Sequence, residues 1–275
     1  MPEGPEIRRA ADALSRALAG RTASRVEFAQ PRLQASGEQL SGRRIDAVEA
    51  HGKALVLHFS GGQSIYTHNQ LYGVWKVVAP NARPSSTRQL RLAIDNRTAS
   101  ALLYSASDID VLGRDALARH PYLAKLGVDL LASATELAAV RAQIDAPRFQ
   151  RRSLAALLLD QAFLAGIGNY LRSEILYVAG LRPDLNLIDL GDAARDRLAR
   201  AALEITRQSY RTRGITNDLE RAAALKRDGL AYGRYRHHVF DRAGETCWTC
   251  EATVEHRIVA GRNLFLCPVC QTDGG

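Results

Sequence analysis

The chain has 275 residues, of which 46% are hydrophobic and 24% are charged, as expected for a folded protein of two or three domains. Its apolar runs are shorter than the roughly 18 residues that a membrane span needs. Glu3, Glu6 and Asp12 argue against an acid-poor transit peptide. The formal net charge of +8 favours a polyanionic partner, such as nucleic acid or a membrane surface.

The first six residues contain the first candidate site. Removal of Met1 would leave Pro2 with a free secondary amine. An α-amino group titrates near ~7.7–8.0, so a useful fraction is uncharged at neutral pH. Such an amine can attack the anomeric carbon of a sugar and form a Schiff base, and Glu3 could transfer the protons. A plain helix start is the alternative, because Pro5 and Glu6 are typical of a first helical turn.

A helix and then a series of strands are predicted for the first half. An amphipathic pattern predicts a helix over residues 5–18, and Gly20 marks its end. Gly61-Gly62 and Asp95-Asn96-Arg97 are predicted turns, and the strand spacing indicates an antiparallel sandwich or barrel. The predicted strands are Arg25–Phe28, Ile45–Glu49, Ala54–Phe59, Ser64–Thr67, Val74–Val78, Leu90–Asp95 and Ser100–Tyr104.

The second half is predicted to be helical, after a linker over residues 120–133. Ser133 and Glu136 form a capping-box pattern for a helix that ends before Pro147. Ser153 and Asn169 are candidate N-caps for helices over 154–161 and 169–178, and a longer helix is predicted over 192–210. Residues 195–236 contain eleven Lys or Arg against five acids. This excess fits a nucleic-acid surface, or simply a solvated helix face.

All four cysteines lie in the last thirty residues, at the spacing C-x2-C-x16-C-x2-C. This spacing is typical of a tetrahedral four-cysteine zinc site, with a hairpin between the two pairs. The predicted tip of that hairpin is Ala260-Gly261-Arg262-Asn263. Because every ligand position would be a thiolate, the zinc would be structural. Two disulfides are the alternative, which an intracellular chain disfavours. The four predicted ligands are Cys247, Cys250, Cys267 and Cys270.

Three further segments could contact nucleic acid. His68–Gly73 combines polar and apolar groups in a predicted loop, which could wedge into a base stack or be a partly buried turn. Residues 165–169 form a glycine-rich turn before a helix, a pattern that can hold a phosphate. Lys53 follows Gly52 and could contact a phosphate or lie on the surface.

Six segments in order resemble the Fpg/Nei DNA glycosylase/AP lyases, and Gly4 with the Asn-Gln-Leu-Tyr loop is most similar to the bacterial endonuclease VIII branch. The resemblance runs from Pro2 to the last cysteine. The matching segments are Pro2-Glu3-Gly4-Pro5-Glu6, His51-Gly52-Lys53, His68-Asn69-Gln70-Leu71-Tyr72-Gly73-Val74-Trp75, Leu102-Leu103-Tyr104-Ser105-Ala106-Ser107-Asp108, Asp160-Gln161-Ala162-Phe163-Leu164-Ala165-Gly166-Ile167-Gly168-Asn169 and the four-cysteine finger.

The resemblance implies an α+β multidomain fold. An N-terminal antiparallel β-sandwich with a flanking helix is expected over residues 1–125. A helical domain with a helix–two-turn–helix motif is expected over 126–235, and a four-cysteine zinc-finger hairpin over 236–275. DNA would be held in a cleft between the domains.

The resemblance also implies a role for each site residue. Catalysis would use Pro2 as the Schiff-base nucleophile, Glu3 as the acid/base, Lys53 in elimination and phosphate binding, and Arg262 as the finger arginine. DNA binding would use the void-filling residues Gln70, Leu71 and Tyr72, the phosphate-binding Asn169, and Lys125, which stands where the family often has an arginine.

We therefore expect a bifunctional DNA glycosylase/AP lyase that excises oxidised bases, mainly pyrimidines, and cuts the strand by β,δ-elimination. It would need one structural Zn²⁺ and no diffusible cofactor, act as a monomer on damaged double-stranded DNA, and be cytoplasmic, associated with the bacterial nucleoid. Two alternatives stay open: an oxidised-purine glycosylase, in which residues 215–238 would cover the flipped base, and a non-catalytic zinc-finger protein that binds damaged DNA.

Overall fold

The structure is a computed structural model that describes residues 2–259 and 261–273. The predicted removal of Met1 and the placement of Ala260 at a hairpin tip lie outside the described residues. The chain forms two compact units. One contains Pro2 and Glu6–Lys125, and the other contains Glu3–Pro5 and the chain from Leu126 onward. The division of this second part into two separate domains stays a prediction.

The first unit is built on two antiparallel four-stranded sheets, as the sandwich prediction requires. The helix α1, Gly4–Leu18, has an acidic first turn and places Ile7 and Leu14 in the core that the strands also line. One sheet has the order β1-β6-β7-β5 and the other β2-β3-β4-β8. The strands are β1 Arg25–Phe28, β2 Ile45–His51, β3 Ala54–Phe59, β4 Gln63–His68, β5 Val74–Val78, β6 Leu90–Asp95, β7 Ser100–Tyr104 and β8 Asp108–Gly113.

Three elements of this unit, one strand and two short helices, lack a counterpart in the sequence prediction. Strand β8 pairs with β4 along its whole length, from Gln63 opposite Gly113 to His68 opposite Asp108. Helix α2, Gln34–Leu40, approaches β1 so closely that a Cβ on Gly37 would lie 2.6 Å from the Val26 carbonyl oxygen. Both segments are short and weakly periodic, so pairing and packing with distant residues determine their structure. A short helix α3, Arg114–Ala118, ends the sheet region.

The second unit is helical, with two small sheets. Its two-stranded sheets are β9 Val128–Asp129 with β10 Leu164–Ala165, which are parallel, and β11 Glu255–Val259 with β12 Arg262–Leu266, which are antiparallel. Buried leucines from the helices and from β12 form one apolar cluster. The helices are α4 Leu137–Asp145, α5 Leu154–Leu157, α6 Asn169–Ala179, α7 Asp192–Arg211, α8 Leu219–Arg227 and α9 Tyr232–Tyr235.

The predicted helix caps were partly wrong. The Ser133–Glu136 capping box is not formed: α4 begins after Glu136, whose side chain makes no capping bond. Residues 129–135 instead form a turn, in which the Asp129 carboxylate accepts the Leu131 N–H at 2.9 Å. Ser153 does cap α5, although that helix ends earlier than predicted, at Leu157.

Helix α6 also begins differently from the prediction. Asn169 is its first residue, and Gly168 is the N-cap residue. At the other end Gly180 is the C-cap residue and adopts the left-handed conformation at φ +69, which is common where helices end. None of the helices in the described part of the chain is long and apolar enough to cross a membrane.

Candidate active site

The Glu3 side chain is buried and lies at the N-terminus of α6. Its carboxylate oxygens accept the backbone N–H groups of Gly168 at 2.7 Å, Tyr170 at 2.9 Å and Leu171 at 3.2 Å. Only 2% of the residue is exposed. A helix N-terminus offers unpaired N–H groups to an anion, so these charge-assisted bonds fix the carboxylate in position. Glu3 therefore caps α6, although in sequence it directly precedes α1.

Close backbone packing leaves no room for side chains around this carboxylate. A Cβ on Gly168 would lie 2.4 to 2.7 Å from Glu3 side-chain atoms. Gly4 donates its N–H to the Gly166 carbonyl at 2.8 Å, and a Cβ on Gly4 would lie 3.0 Å from the Gly166 Cα. Glycine is required at Gly168 because the carboxylate occupies the space that a larger residue would take.

The glycine-rich turn thus binds a carboxylate of the same chain. Three of the N–H groups that the sequence pattern offered to a phosphate are bonded to Glu3. Asn169 lies at the same helix start and is half-buried, and its predicted phosphate contact stays a prediction. Pro2 precedes the fixed Glu3 and is also half-buried. The position of its ring is therefore constrained by the anchored neighbour.

Arg172, one turn into α6, is a fully buried guanidinium to which the sequence analysis gave no role. It donates to the Ala155 carbonyl at 3.0 Å and to the Asn263 carbonyl at 2.9 Å. Its Nε finds no hydrogen-bond partner among the described residues. Burial is the main cause that lowers the pKa of Arg172 to about 10. The Glu3 charge raises that pKa and the Arg262 charge lowers it. Arg172 therefore ties α6 to the strand that begins at Arg262.

Arg262 is exposed and is the first residue of β12, where it pairs with Val259 of β11. The sequence had placed it in the tip of the hairpin, and the structure places it at the start of a strand. Its neighbour Asn263 accepts the bond from Arg172 described above. Arg262 thus belongs to a hairpin strand whose backbone is bonded to the buried Arg172 through Asn263.

Lys53 lies in the first unit, in the two-residue turn between β2 and β3. Its backbone N–H donates to the Tyr122 hydroxyl at 2.9 Å, and Gly52 beside it has φ +57. Burial lowers the pKa of His68, and the positive charge of Lys53 acts in the same direction, while Asp108 opposes it. The His68 Nδ1 accepts the N–H of Gln70 at 3.1 Å. The structure therefore brings Lys53 close to the base of the 69–73 loop.

The remaining predicted DNA contacts are exposed. Gln70, Leu71 and Tyr72 lie in the loop between β4 and β5, where Leu71 is 51% and Tyr72 is 68% exposed. Lys125 is the exposed last residue of a 3₁₀ turn, directly before the second unit begins. Leu71 and Tyr72 are therefore accessible to a partner, and their predicted function stays a prediction.

The four cysteines of the C-terminal segment form a cluster with free thiols. Their sulfur atoms all lie within 4.8 Å of one another. The Cys250 and Cys267 sulfurs are 3.4 Å apart and those of Cys247 and Cys270 are 3.8 Å apart. Ligands at about 2.3 Å around a tetrahedral Zn²⁺ require similar separations. The cluster can therefore hold a metal ion, and all four ligand positions would be sulfur.

A second buried carboxylate, Glu174, is also on α6 and had no predicted role. It accepts the backbone N–H groups of His238 at 2.8 Å, Val239 at 2.8 Å and Phe240 at 2.9 Å, together with the Thr216 hydroxyl at 2.5 Å. These bonds and the nearby histidines keep the pKa of Glu174 below its ordinary value, although burial opposes the shift. An acid directly before the apolar residues Ile175, Leu176 and Tyr177 was the sequence signal for this residue.

His237 completes the Glu174 site. Its Nδ1 lies 2.8 Å from the Thr216 hydroxyl and 4.0 Å from a Glu174 oxygen. Burial lowers the pKa of His237 to about 4, against the attraction of Glu174. The backbone N–H groups of Thr216 and Asn217 both donate to the Arg236 carbonyl. Glu174 therefore joins the two ends of the segment that contains α8 and α9.

Comparison with known proteins identifies the family. Residues 1–105 match the formamidopyrimidine-DNA glycosylase N-terminal domain, and residues 126–220 match the formamidopyrimidine-DNA glycosylase H2TH domain. Endonuclease 8 of Klebsiella pneumoniae and that of Escherichia coli are each 45% identical over 98% of this chain and all of their own length.

Solved structures show the same fold. Lactococcus lactis Fpg in complex with DNA containing an oxidized pyrimidine is 20% identical, with a TM-score of 0.81, over 98% of this chain and 100% of that one. The complex of L. lactis Fpg with DNA containing an abasic site has a TM-score of 0.80 at 20% identity, over 98% and 99% of the two chains. The buried Glu3, which follows Pro2 in the chain, and the four-cysteine cluster are consistent with these family matches. The chain belongs to the Fpg/Nei family of bifunctional DNA glycosylase/AP lyases of base excision repair, close to the endonuclease 8 proteins.

Proposed function

We propose that this enzyme excises oxidised pyrimidines from double-stranded DNA through a covalent intermediate on Pro2, acting as a monomer. The observation that supports this most directly is the buried carboxylate of Glu3, which three backbone N–H groups hold next to Pro2 in the chain. A proton-transfer group is effective only when it is held within reach of the reacting atoms. The Glu3 bonds provide that fixed position.

In the proposed reaction the Pro2 nitrogen forms a bond to C1′ of the damaged nucleotide. The base leaves with the electron pair of the glycosidic bond and takes up a proton. Opening of the sugar ring then gives an iminium between Pro2 and C1′, and Glu3 transfers the protons of this step. Loss of a C2′ proton releases the 3′ phosphate by β-elimination, and δ-elimination releases the 5′ phosphate. Lys53 would assist the eliminations and bind a phosphate.

The DNA contacts complete the proposal. Gln70, Leu71 and Tyr72 would fill the space left by the flipped nucleotide, and Asn169, Arg262 and Lys125 would bind backbone phosphates. Guanidinium groups can bind phosphate through two parallel hydrogen bonds, which suits the fixed position of Arg262. The three-domain division, with a separate finger from residue 236, is part of this proposal.

We further propose that the four-cysteine cluster binds one structural Zn²⁺ per chain. With four thiolate ligands the ion has no open position, so it would order the 247–270 segment and take no part in the reaction. Metal analysis of the purified protein should give one zinc per chain, and Cys267→Ser should lose it together with DNA affinity. A metal-free protein containing two disulfides by mass would contradict this proposal.

Borohydride trapping on DNA with a single lesion tests the catalytic proposal. Borohydride reduces the iminium to a stable bond, so wild-type protein should become covalently attached to a duplex that contains dihydrouracil. Protein with a residue retained before Pro2 should form no adduct, whereas Pro2→Gly keeps a free amine and should retain some. Undiminished trapping by the N-terminally extended protein would rule out Pro2.

The same assay separates the lesion classes. A duplex with 8-oxoguanine in place of dihydrouracil should be excised more slowly. Faster excision of the purine would favour the alternative in which residues 215–238 cover a flipped purine. DNA binding without any adduct would indicate the non-catalytic alternative.

A further inference from the structure

The loop of residues 69–73, between β4 and β5, has a constrained backbone. The Gly73 N–H donates to the Asn69 carbonyl at 2.7 Å, and a Cβ on Gly73 would lie 2.5 Å from that oxygen. Gln70 has φ +50, in the left-handed region that non-glycine residues seldom adopt. Such a conformation persists only when the surrounding contacts stabilise it. The question is which residues provide these contacts.

Besides His68, whose Nδ1 accepts the Gln70 N–H, two side chains from outside the loop contact it directly. The Ser107 hydroxyl donates to the Gln70 Oε1 at 2.9 Å, and the Arg88 guanidinium donates from Nη1 to the Tyr72 carbonyl at 2.7 Å. The two bonds act on different residues of the loop, one on a side chain and one on the backbone. Together they fix the loop on both sides of Leu71.

Ser107 is itself held in place by other parts of the first unit. Its carbonyl accepts the side-chain amide of Gln30 at 2.9 Å. Two residues earlier, Ser105 has φ +56 and donates its N–H to the Gln89 carbonyl at 2.9 Å, next to Arg88 in the chain. Ser107 and the residue next to Arg88 are therefore each hydrogen-bonded to other parts of the first unit.

The held loop presents Leu71 and Tyr72 to solvent, 51% and 68% exposed. We propose that Ser107 and Arg88 are positioning residues that hold the void-filling loop in its DNA-inserting shape before DNA binds. The DNA-inserting role of the loop rests on the proposed function, whereas the two hydrogen bonds to the loop do not depend on that function. Neither residue needs to touch DNA for this effect.

A loop that is ordered in the free protein loses less conformational freedom on insertion, and so binds its target more tightly. Each of the two hydrogen bonds is partly exposed to water, so its loss should have a modest effect. We expect each single substitution to lower kcat/KM for a lesion in duplex DNA about three- to tenfold. This range corresponds to the net value of one hydrogen bond.

Hydrogen exchange of the Gly73 amide in the DNA-free protein tests the positioning directly. In wild type this amide is bonded to Asn69 and should be protected. Arg88→Ala and Ser107→Ala should each raise its exchange rate about tenfold or less. Arg88→Lys and Ser107→Thr keep a donor and should restore part of the protection. Wild-type exchange in both alanine variants would overturn the inference, whatever the enzyme does with DNA.

Kinetics supply the functional test. The apparent KM for a duplex with a paired dihydrouracil should rise about three- to tenfold in each alanine variant, with kcat little changed. Cleavage of a preformed abasic site in single-stranded DNA needs no void to be filled and should stay at the wild-type rate. Arg97→Ala removes an exposed arginine charge from another turn of the same unit, and controls for general attraction to DNA.

A double-mutant cycle tests whether Ser107 acts through Gln70. In a Gln70→Ala background, Ser107→Ala should add no further loss. Additive losses, or equal losses on single-stranded and duplex substrates, would overturn the positioning role. Absence of any adduct from wild-type protein would refute the proposed function alone, because the exchange measurement decides the loop contacts independently.

Discussion

Two buried carboxylates on or against the same helix show how similar environments support different roles. Glu3 and Glu174 are each almost fully buried, and each accepts three backbone N–H groups. Glu3 belongs to the extreme N-terminus of the chain and docks on the start of α6. Glu174 projects from α6 and joins residues 216 and 238–240. Burial and bonding to backbone N–H groups alone would not separate these two residues.

Their neighbours separate them. Glu3 adjoins Pro2, for which we propose a free secondary amine, whereas Glu174 is surrounded by a hydroxyl, two histidines whose pKa values burial lowers, and apolar residues. The comparison teaches that a satisfied buried acid is a candidate catalytic group only when a reacting group lies beside it. Otherwise such an acid serves to fix the chain segments that donate to it.

The largest expected effect is on base excision by Glu3→Gln. The amide keeps the volume of the side chain but cannot transfer a proton, so single-turnover excision from a dihydrouracil duplex should fall about 10³-fold. Cleavage at a preformed abasic site, which needs no base to leave, should fall much less. Glu6→Gln is the matched control, since Glu6 is a half-buried acid of α1 that pairs with Arg9. Normal excision by Glu3→Gln would reduce Glu3 to a cap of α6.

Glu174→Ala should give the largest loss of stability. It leaves the N–H groups of His238, Val239 and Phe240 without their acceptor in a largely buried site, and should lower the free energy of unfolding by about 3 kcal/mol. Denaturant unfolding would measure this. Glu220→Ala removes an exposed acid from α8 and should change stability by less than about 0.5 kcal/mol. Equal stabilities of the two variants would mean that Glu174 is not a structural anchor.

Gly168→Ala should move the Glu3 carboxylate without changing its chemistry. Its Cβ would lie 2.4 Å from the Glu3 carboxyl carbon, so the carboxylate must move, and excision should fall about tenfold. Gly191→Ala is the control, because Gly191 precedes α7 and a Cβ there would meet no described atom within 4 Å. If both variants excise equally well, the position of Glu3 is less critical than we infer.

The smallest expected effect is a loss of stability at low pH that is caused by His237, the neighbour of Glu174. Burial holds the pKa of folded His237 at about 4, below its ordinary 6.5. The unfolded chain therefore binds more protons as the pH falls from about 6.5 towards 4, and stability should decrease by about 1–2 kcal/mol over that window. The lowered pKa of Glu174 removes further stability below it. Unfolding midpoints at pH 7.5 and pH 5 would measure this, and His237→Gln should flatten the slope.

The sequence predicted the elements that its own periodicity encodes. Strands such as Ala54–Phe59 and Val74–Val78 have the predicted bounds, and α1 starts one residue before its prediction. The cysteine cluster also followed from spacing. Strand β8 and helix α2 were missed, because partners far along the chain determine their structure.

The sequence predicted a set of site residues, whose roles stay predictions, but it did not predict their arrangement. Pro2 and Glu3 stood out because an amine and an acid are adjacent in sequence. That Glu3 is bonded to backbone groups 165 to 168 positions away, and that the Gly168 turn holds this acid, required the fold. The contacts of Arg88 with Tyr72 and of Ser107 with Gln70 have no local sequence signature, since exposed arginines and serines are common.

The assignment of residues 3–5 to the second unit has a consequence for building hybrid enzymes. A chain cut or recombined between Lys125 and Leu126 leaves the second part without the acid that its own helix start requires. A chimera of two family members would then pair the first residues of one parent with the 166–171 turn of the other. Residues 3–5 and 166–171 form one structural unit, although about 160 residues separate them in sequence. An exchange of segments between family members must therefore transfer both together.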